Sequence, residues 1–145
     1  MNLTKNFTYE ELIRSSTAQA HNIDNIPPPL ELGKLQRLCK EILQPIRDKY
    51  GKPIWVSSGY RCPKVNALVG GSKTSQHIKG EAADIKATKT SNADLFNLIK
   101  SMIEKKEIIV GQLIWEYGTK KEPQWVHVSL PREKNNNQIL YIGIK

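Results

Sequence analysis

The strongest constraint on the fold is the order in which two hydrophobic periods occur along the chain. Three strand-like runs, "IIVGQLIWEYG", "QWVHVSL" and "ILYIGIK", follow one another in the last third of the sequence. Only the loop "GTKKEP" separates the first two, and a link that short joins neighbours running in opposite directions. Helical patterns dominate the earlier part, with no regular strand–helix–strand alternation and no glycine-rich phosphate loop. A parallel, doubly wound sheet is therefore disfavoured. The expected fold is a single α+β domain over residues 1–145, an antiparallel sheet flanked by helices. Within it, residues 1–29 read as an N-terminal helix plus an irregular segment, and 30–145 as the core.

"FTYEELIRSS" opens with a capping box, Thr8 as N-cap and Glu11 three residues on, so a short helix should follow with Phe7 and Leu12 as its apolar contacts. "IPPP" then delivers the chain to a long helix over about Leu30 to Tyr50. Leu35, Leu38, Cys39, Ile42, Leu43 and Ile46 form one stripe of that helix. Pro45 should kink it, and Gly51 suits its C-cap. "PIWVSSGYR" and "EAADIKA" read as strands, and "TSNADLFNLIKSMIEKK" as a helix capped by Ser91 with Asp94 in its first turn. Glu133 to Gln138 is a polar run between the last two strands.

A net charge of +8 favours anionic partners, among them nucleic acids, membrane surfaces and bacterial wall polymers. Aromatic residues make up only 7% and are not interleaved with Arg, which argues against a stacking platform for single strands. No groove-reading helix is evident either, so nucleic acid is not the expected partner. No apolar run approaches the roughly 20 residues needed to span a bilayer, so membrane insertion is not expected. "MNLTKNFTYEEL" lacks an apolar signal-peptide core, and accumulation in the cytoplasm on synthesis is the expectation. Cys39 and Cys62 have no CxxC spacing, which excludes a Cys-type structural zinc site and leaves a disulfide between them open.

The chemistry-bearing residues are few. His77 and Asp84 lie seven apart in "SQHIKGEAADI", with Gly80 allowing the chain to turn so that a loop residue and a strand residue can converge. Alone they are a half-site, since a catalytic zinc takes three protein ligands and keeps a position for water. His127 supplies a third. In "WVHVSL", Val126, Val128 and Leu130 share one face and look core-directed, so His127 should face a cleft with Trp125 and Ser129. Glu116 interrupts an apolar strand that should pair with the His127 strand, and a carboxylate there is costly to bury unless it faces a polar site. Glu122, beside Pro123 in the loop, reads as a solvated charge. The side on which Glu81 falls is left open by alternation. His21, in "TAQAHNID", reads as surface.

"SGYRCPKVN", "SQHIKGEAADI" and "WVHVSL", in that order, resemble the zinc D-alanyl-D-alanine carboxypeptidase family. That family shares its fold with the hedgehog signalling domain and includes vancomycin-resistance dipeptidases and phage endolysins. The pattern Ser-x-His-x-x-Gly-x-Ala-x-Asp is met at every fixed position from Ser75 to Asp84, and the likeness runs from about Trp55 to Leu130. It implies Zn2+ held by His77, Asp84 and His127. It also implies substrate binding by Arg61, which can hold a carboxylate or a developing oxyanion, and by Ser75, as a hydrogen-bonding residue at the site.

One position departs. The dipeptidase branch carries its catalytic Glu three residues before the last histidine, where this chain has Gln124. Other branches place the Glu on the preceding strand, and Glu116 matches that arrangement as the catalytic base. The resemblance thus implies a monomeric zinc peptidase acting on peptidoglycan stem peptides, of D-Ala-D-Ala carboxypeptidase or L-Ala-D-Glu endopeptidase type. A wall substrate would then require release from the cytoplasm by a route such as phage-type lysis. The competing expectation is a catalytically inactive, zinc-holding module for wall or protein recognition.

Overall fold

The computed structural model describes residues 1–134 and 136–145; Asn135, within the polar run from Glu133 to Gln138, lies outside the described residues. The capping box forms as its sequence requires. Thr8 accepts from the Glu11 amide at the start of α1 (Tyr9–Ile13), and the Glu11 carboxylate returns to the Thr8 amide at 2.9 Å. Helix α2 (Ser16–Ala20) is capped by Ser15. Phe7 and Leu12 are both buried in the main hydrophobic core.

The long helix is present but not uniform. It runs as α3 (Pro29–Leu38), a π-helical stretch Cys39–Leu43, and α4 (Gln44–Tyr50), with helical dihedrals at the junctions. The disturbance at Pro45 thus takes the form of a wide turn just before it: the Gln44 amide reaches back to the Cys39 carbonyl. Proline offers no amide and crowds the preceding turn, and one π turn relieves that strain while the buried stripe continues. Leu35, Leu38, Cys39, Ile42, Leu43 and Ile46 are all fully buried. Gly51, at φ 75°, ends α4 as a left-handed cap.

Strands β1 (Ile54–Ser58), β2 (Ala82–Ala87), β3 (Gln112–Glu116), β4 (Trp125–Ser129) and β5 (Gln138–Ile142) form one sheet in the order β1-β2-β4-β3-β5. The expected hairpin is β3–β4, and the β1–β2 and β2–β4 pairs are antiparallel as well. The last pair departs from the antiparallel expectation: β5 runs parallel to β3. Topology explains it. The chain leaves β4 and returns beyond β3, so a strand running back against β4 must share the direction of β3 between them. The fold is α+β with a mixed sheet. Helix α5 (Pro63–Leu68) and a 3₁₀ turn (Gln76–Lys79) lie between β1 and β2, and α6 (Asn92–Glu104) lies between β2 and β3.

Period-2 alternation divides the sheet. Val56, Ala83, Ile85, Leu113, Trp115, Val126 and Val128 join the core, where Phe96 of α6 meets Trp115 edge-on at 5.3 Å. Ser58, Asp84, Ile114, Glu116, Trp125 and His127 face a cleft on the opposite side. Glu122 is exposed, yet its carboxylate accepts from the Asn92 and Ala93 amides at 3.0 and 2.8 Å, where it complements the N-terminus of α6. Cys39 is buried, Cys62 is half-buried, and both are free thiols. Among the described residues no helix is long and apolar enough to cross a membrane.

Glu81 stands just before β2 and is not in the cleft lining, though it pairs with Lys34 at 3.0 Å and with Arg132, which is, at 3.2 Å. Burial alone would raise its pKa, but the contacts from Lys34, Gln76 and Arg132 outweigh burial and lower it. A lowered folded-state pKa gives stability that is present above the unfolded carboxylate value and is lost as pH falls through the folded value. Because Arg132 is exposed and screened, Glu81→Gln is expected to cost about 1 kcal/mol at pH 7. In denaturant titrations the difference should shrink as pH falls below that of an ordinary Glu. An equal difference at pH 7 and pH 3 would remove the ion pairs from the account.

Candidate metal and catalytic site

His77 is carried by the 3₁₀ turn, whose first residue is capped by Ser75: the Ser75 hydroxyl accepts from the His77 amide at 3.2 Å. Gly80 ends the turn at φ 71°, and a side-chain carbon there would stand 2.4 Å from the Glu31 carbonyl oxygen. Only glycine satisfies both the left-handed backbone and that approach to α3. The turn thereby hands the chain to β2, where Asp84 pairs in register with His127 of β4.

The imidazole of His77 is oriented from behind. Its Nδ1–H donates to the Gly59 carbonyl at 2.8 Å, which leaves the Nε2 lone pair free on the cleft side. That Nε2 lies 3.4 Å from Asp84 Oδ1, and His127 Nδ1 lies 3.0 Å from the same oxygen. The ligating atoms of the three residues all fall within 4.8 Å of one another, and all three side chains are buried. Ligands about 2.0–2.1 Å from a tetrahedral ion stand roughly 3.3 Å apart, so these separations fit a zinc-sized cation. Two nitrogens and one carboxylate oxygen also match the donor preference of zinc. Burial alone would raise Asp84, but the nearby His77 imidazole and the hydrogen bond with His127 outweigh it and hold the carboxyl well below the usual carboxylate range.

Glu116, at the end of β3, brings Oε1 to 3.4 Å from His127 Nδ1. Burial, and then the charge of Asp84, raise its pKa. Trp125 pairs with Glu116 across the strands, where its Nε1–H, buried without a close hydrogen bond among the described residues, still opposes part of that rise. Gln124 is exposed and does not line the cleft, so the position that departs from the dipeptidase pattern lies outside the site that Glu116 enters.

Arg61 lies on the loop after β1. Its Nη2 reaches the Ser75 hydroxyl at 3.4 Å, and its Nε–H is buried with no partner among the described residues. Burial lowers its pKa, against the opposing charges of Asp84 and Glu116. A half-buried guanidinium with an unused donor, beside a serine hydroxyl, is arranged to receive an oxygen-bearing group. The cleft measures about 1120 Å³, and all six expected residues line it: Arg61, Ser75, His77, Asp84, Glu116 and His127. His21 is exposed and outside it. Sequence reasoning left out Tyr117, also in the lining, whose ring meets Trp125 at 5.2 Å. Its signal was slight, one aromatic next to the interrupting carboxylate.

The sheet and cleft define a small α+β domain with a His–Asp–His cluster able to hold a metal beside a half-buried carboxylate. A family profile described as peptidase M15 matches residues 5–129, and the chain belongs to that family. Comparison with curated proteins gives no match. The matched span begins ahead of α1, so the N-terminal helices are included in it.

Proposed function

We propose that the protein is a zinc peptidase that hydrolyses peptidoglycan stem peptides. The observation that carries this reading is the position of Glu116: a raised-pKa carboxylate 3.4 Å from His127, in the same cleft as the His–Asp–His cluster. His77 Nε2, Asp84 Oδ1 and His127 Nδ1 would hold the ion. When bound, zinc lowers the pKa of water to about 7 and polarises a carbonyl. Glu116 takes a proton from the attacking water at its carboxylate and returns it to the departing amine. Arg61 donates to the carbonyl oxygen as negative charge develops there, or to a substrate carboxylate, and the Ser75 hydroxyl, 3.4 Å from the guanidinium, offers the substrate a further hydrogen bond. The +8 charge favours approach to an anionic wall, and the motif resemblance supports the substrate class.

The test is a digest of purified peptidoglycan, with primary amines counted and products resolved by mass. New amines should appear, fall at least about tenfold after metal is stripped with a chelator, and return with added zinc. The masses distinguish carboxypeptidase from endopeptidase cleavage. Stoichiometric zinc binding with no released amine would replace this reading with that of a non-catalytic wall or protein binding module.

A further inference from the structure

Asn25 is one of few buried polar residues among those described, and it sits in "NIDNIPP", a segment with no regular structure. Its carboxamide is fully committed. Nδ2 donates to the Ile13 carbonyl at 2.7 Å and to the Tyr60 carbonyl at 2.9 Å, while Oδ1 accepts from the Cys62 amide at 2.7 Å. Tyr60 and Cys62 are the two neighbours of Arg61. One side chain therefore grips the backbone on both sides of the residue whose guanidinium enters the cleft.

Two backbone bonds complete the cradle: the Tyr60 amide donates to the Leu12 carbonyl at 2.8 Å, and the Arg61 amide donates to the His77 carbonyl at 3.1 Å. Among the described residues the Arg61 side chain has little to hold it, with one long contact to Ser75 and a buried Nε–H that finds no partner. Its place is thus set largely through its backbone. We propose that Asn25 is a positioning residue for Arg61, and that residues 1–29 serve the site by bracing the Tyr60–Cys62 loop. Arg61's role in turnover rests on the peptidase reading; the bracing itself does not.

The chemistry of the amide makes the proposal specific. Aspartate at this position would keep the acceptor for Cys62 but lose both donations and set a charge against two carbonyl oxygens. Alanine would leave two carbonyls and one amide unpaired. Neither change removes a direct contact of the His77, Asp84 or His127 side chains, since the partners of Asn25 are Ile13, Tyr60 and Cys62.

The experiment uses the full zinc-loaded chain. Arg61→Ala, Asn25→Ala, Asn25→Asp and the double variant Asn25→Ala/Arg61→Ala are compared for kcat/KM on soluble wall peptides, zinc content and the Arg61 Nε–H signal in a ¹H–¹⁵N spectrum. Ser15→Ala weakens the cap of α2 in the same segment without reaching the loop, and serves as the control. At saturating zinc, where metal content is equal, the Asn25 variants should lose at least about tenfold in kcat/KM, and the double variant should be no worse than Arg61→Ala alone. The Arg61 Nε–H should exchange with solvent at least about tenfold faster in Asn25→Asp than in the parent, and no faster in Ser15→Ala. Additive losses, or an unchanged Nε–H in Asn25→Asp, would overturn the proposal. If the parent cleaves no wall peptide the peptidase reading falls, and the exchange measurement alone then decides whether Asn25 braces Arg61. A variant too unstable for kinetics is replaced by Asn25→Ser, judged on the same exchange criterion.

Discussion

Glu116→Gln is expected to lower turnover of wall peptides by about 10²–10⁴-fold, the range associated with a positioned general base, while zinc binds as before. Glutamine has the same shape and can occupy the same rotamer, but its amide takes no proton from water. The β3–β4 ladder does not depend on the carboxylate, since the bond at this position runs from the Gln124 amide to the Glu116 backbone carbonyl at 3.0 Å. The cluster of His77, Asp84 and His127 is also left with its own contacts. A half-buried carboxylate beside Asp84 is costly, so its removal should not lower the melting temperature. Steady-state kinetics, metal analysis and a thermal melt together separate lost chemistry from lost structure. Activity within threefold of the parent would take the base role from Glu116, whereas a parallel loss of zinc would recast it as a ligand.

Much of this site was legible because its signals are local and chemical. A histidine and an aspartate at fixed spacing around a glycine, a histidine alternating with valines, and a carboxylate in an apolar strand each restrict what the side chain can face. The register then does what alternation implies, with Asp84 opposite His127 and Glu116 opposite Trp125. Other features leave no such mark. Period 2 identifies Gln138–Ile142 as a strand but carries no direction, so its parallel pairing with β3 had to come from the topology. The π turn at Cys39–Leu43 keeps the same residues buried as an α-helix would, so the pattern is blind to it. Glu81 precedes the first paired residue of β2, where alternation no longer applies, and its partners come from distant elements. Asn25 was hidden for a related reason. Its three partners lie 12, 35 and 37 residues away, and a polar residue in an irregular stretch ordinarily faces water.

Gly59→Ala is expected to damage both stability and the metal site, because two neighbours depend on the same few atoms. A side-chain carbon at residue 59 would stand 2.3 Å from the Leu12 carbonyl oxygen and 3.0 Å from its carbon, and both are backbone atoms that no rotamer change can move. That oxygen accepts the Tyr60 amide at 2.8 Å, so easing the clash breaks the bond that docks α1 against the loop. The expected cost is about 1–3 kcal/mol, as for other overpacked sites, or roughly 2–10 °C in melting temperature for a chain of this size. The second effect runs through the Gly59 carbonyl, which holds His77 Nδ1–H at 2.8 Å and so keeps Nε2 turned to the cleft. A loop displaced away from Leu12 carries that carbonyl with it. Zinc affinity should therefore fall by about 10–100-fold, the usual consequence of losing the partner behind a ligating histidine. Thermal melts of the metal-free protein report the first effect, and competition with a chelator of known affinity reports the second. A lowered melting temperature with unchanged zinc affinity would mean that the loop relaxes without moving its carbonyl, and the coupling between α1 and His77 would then be discarded.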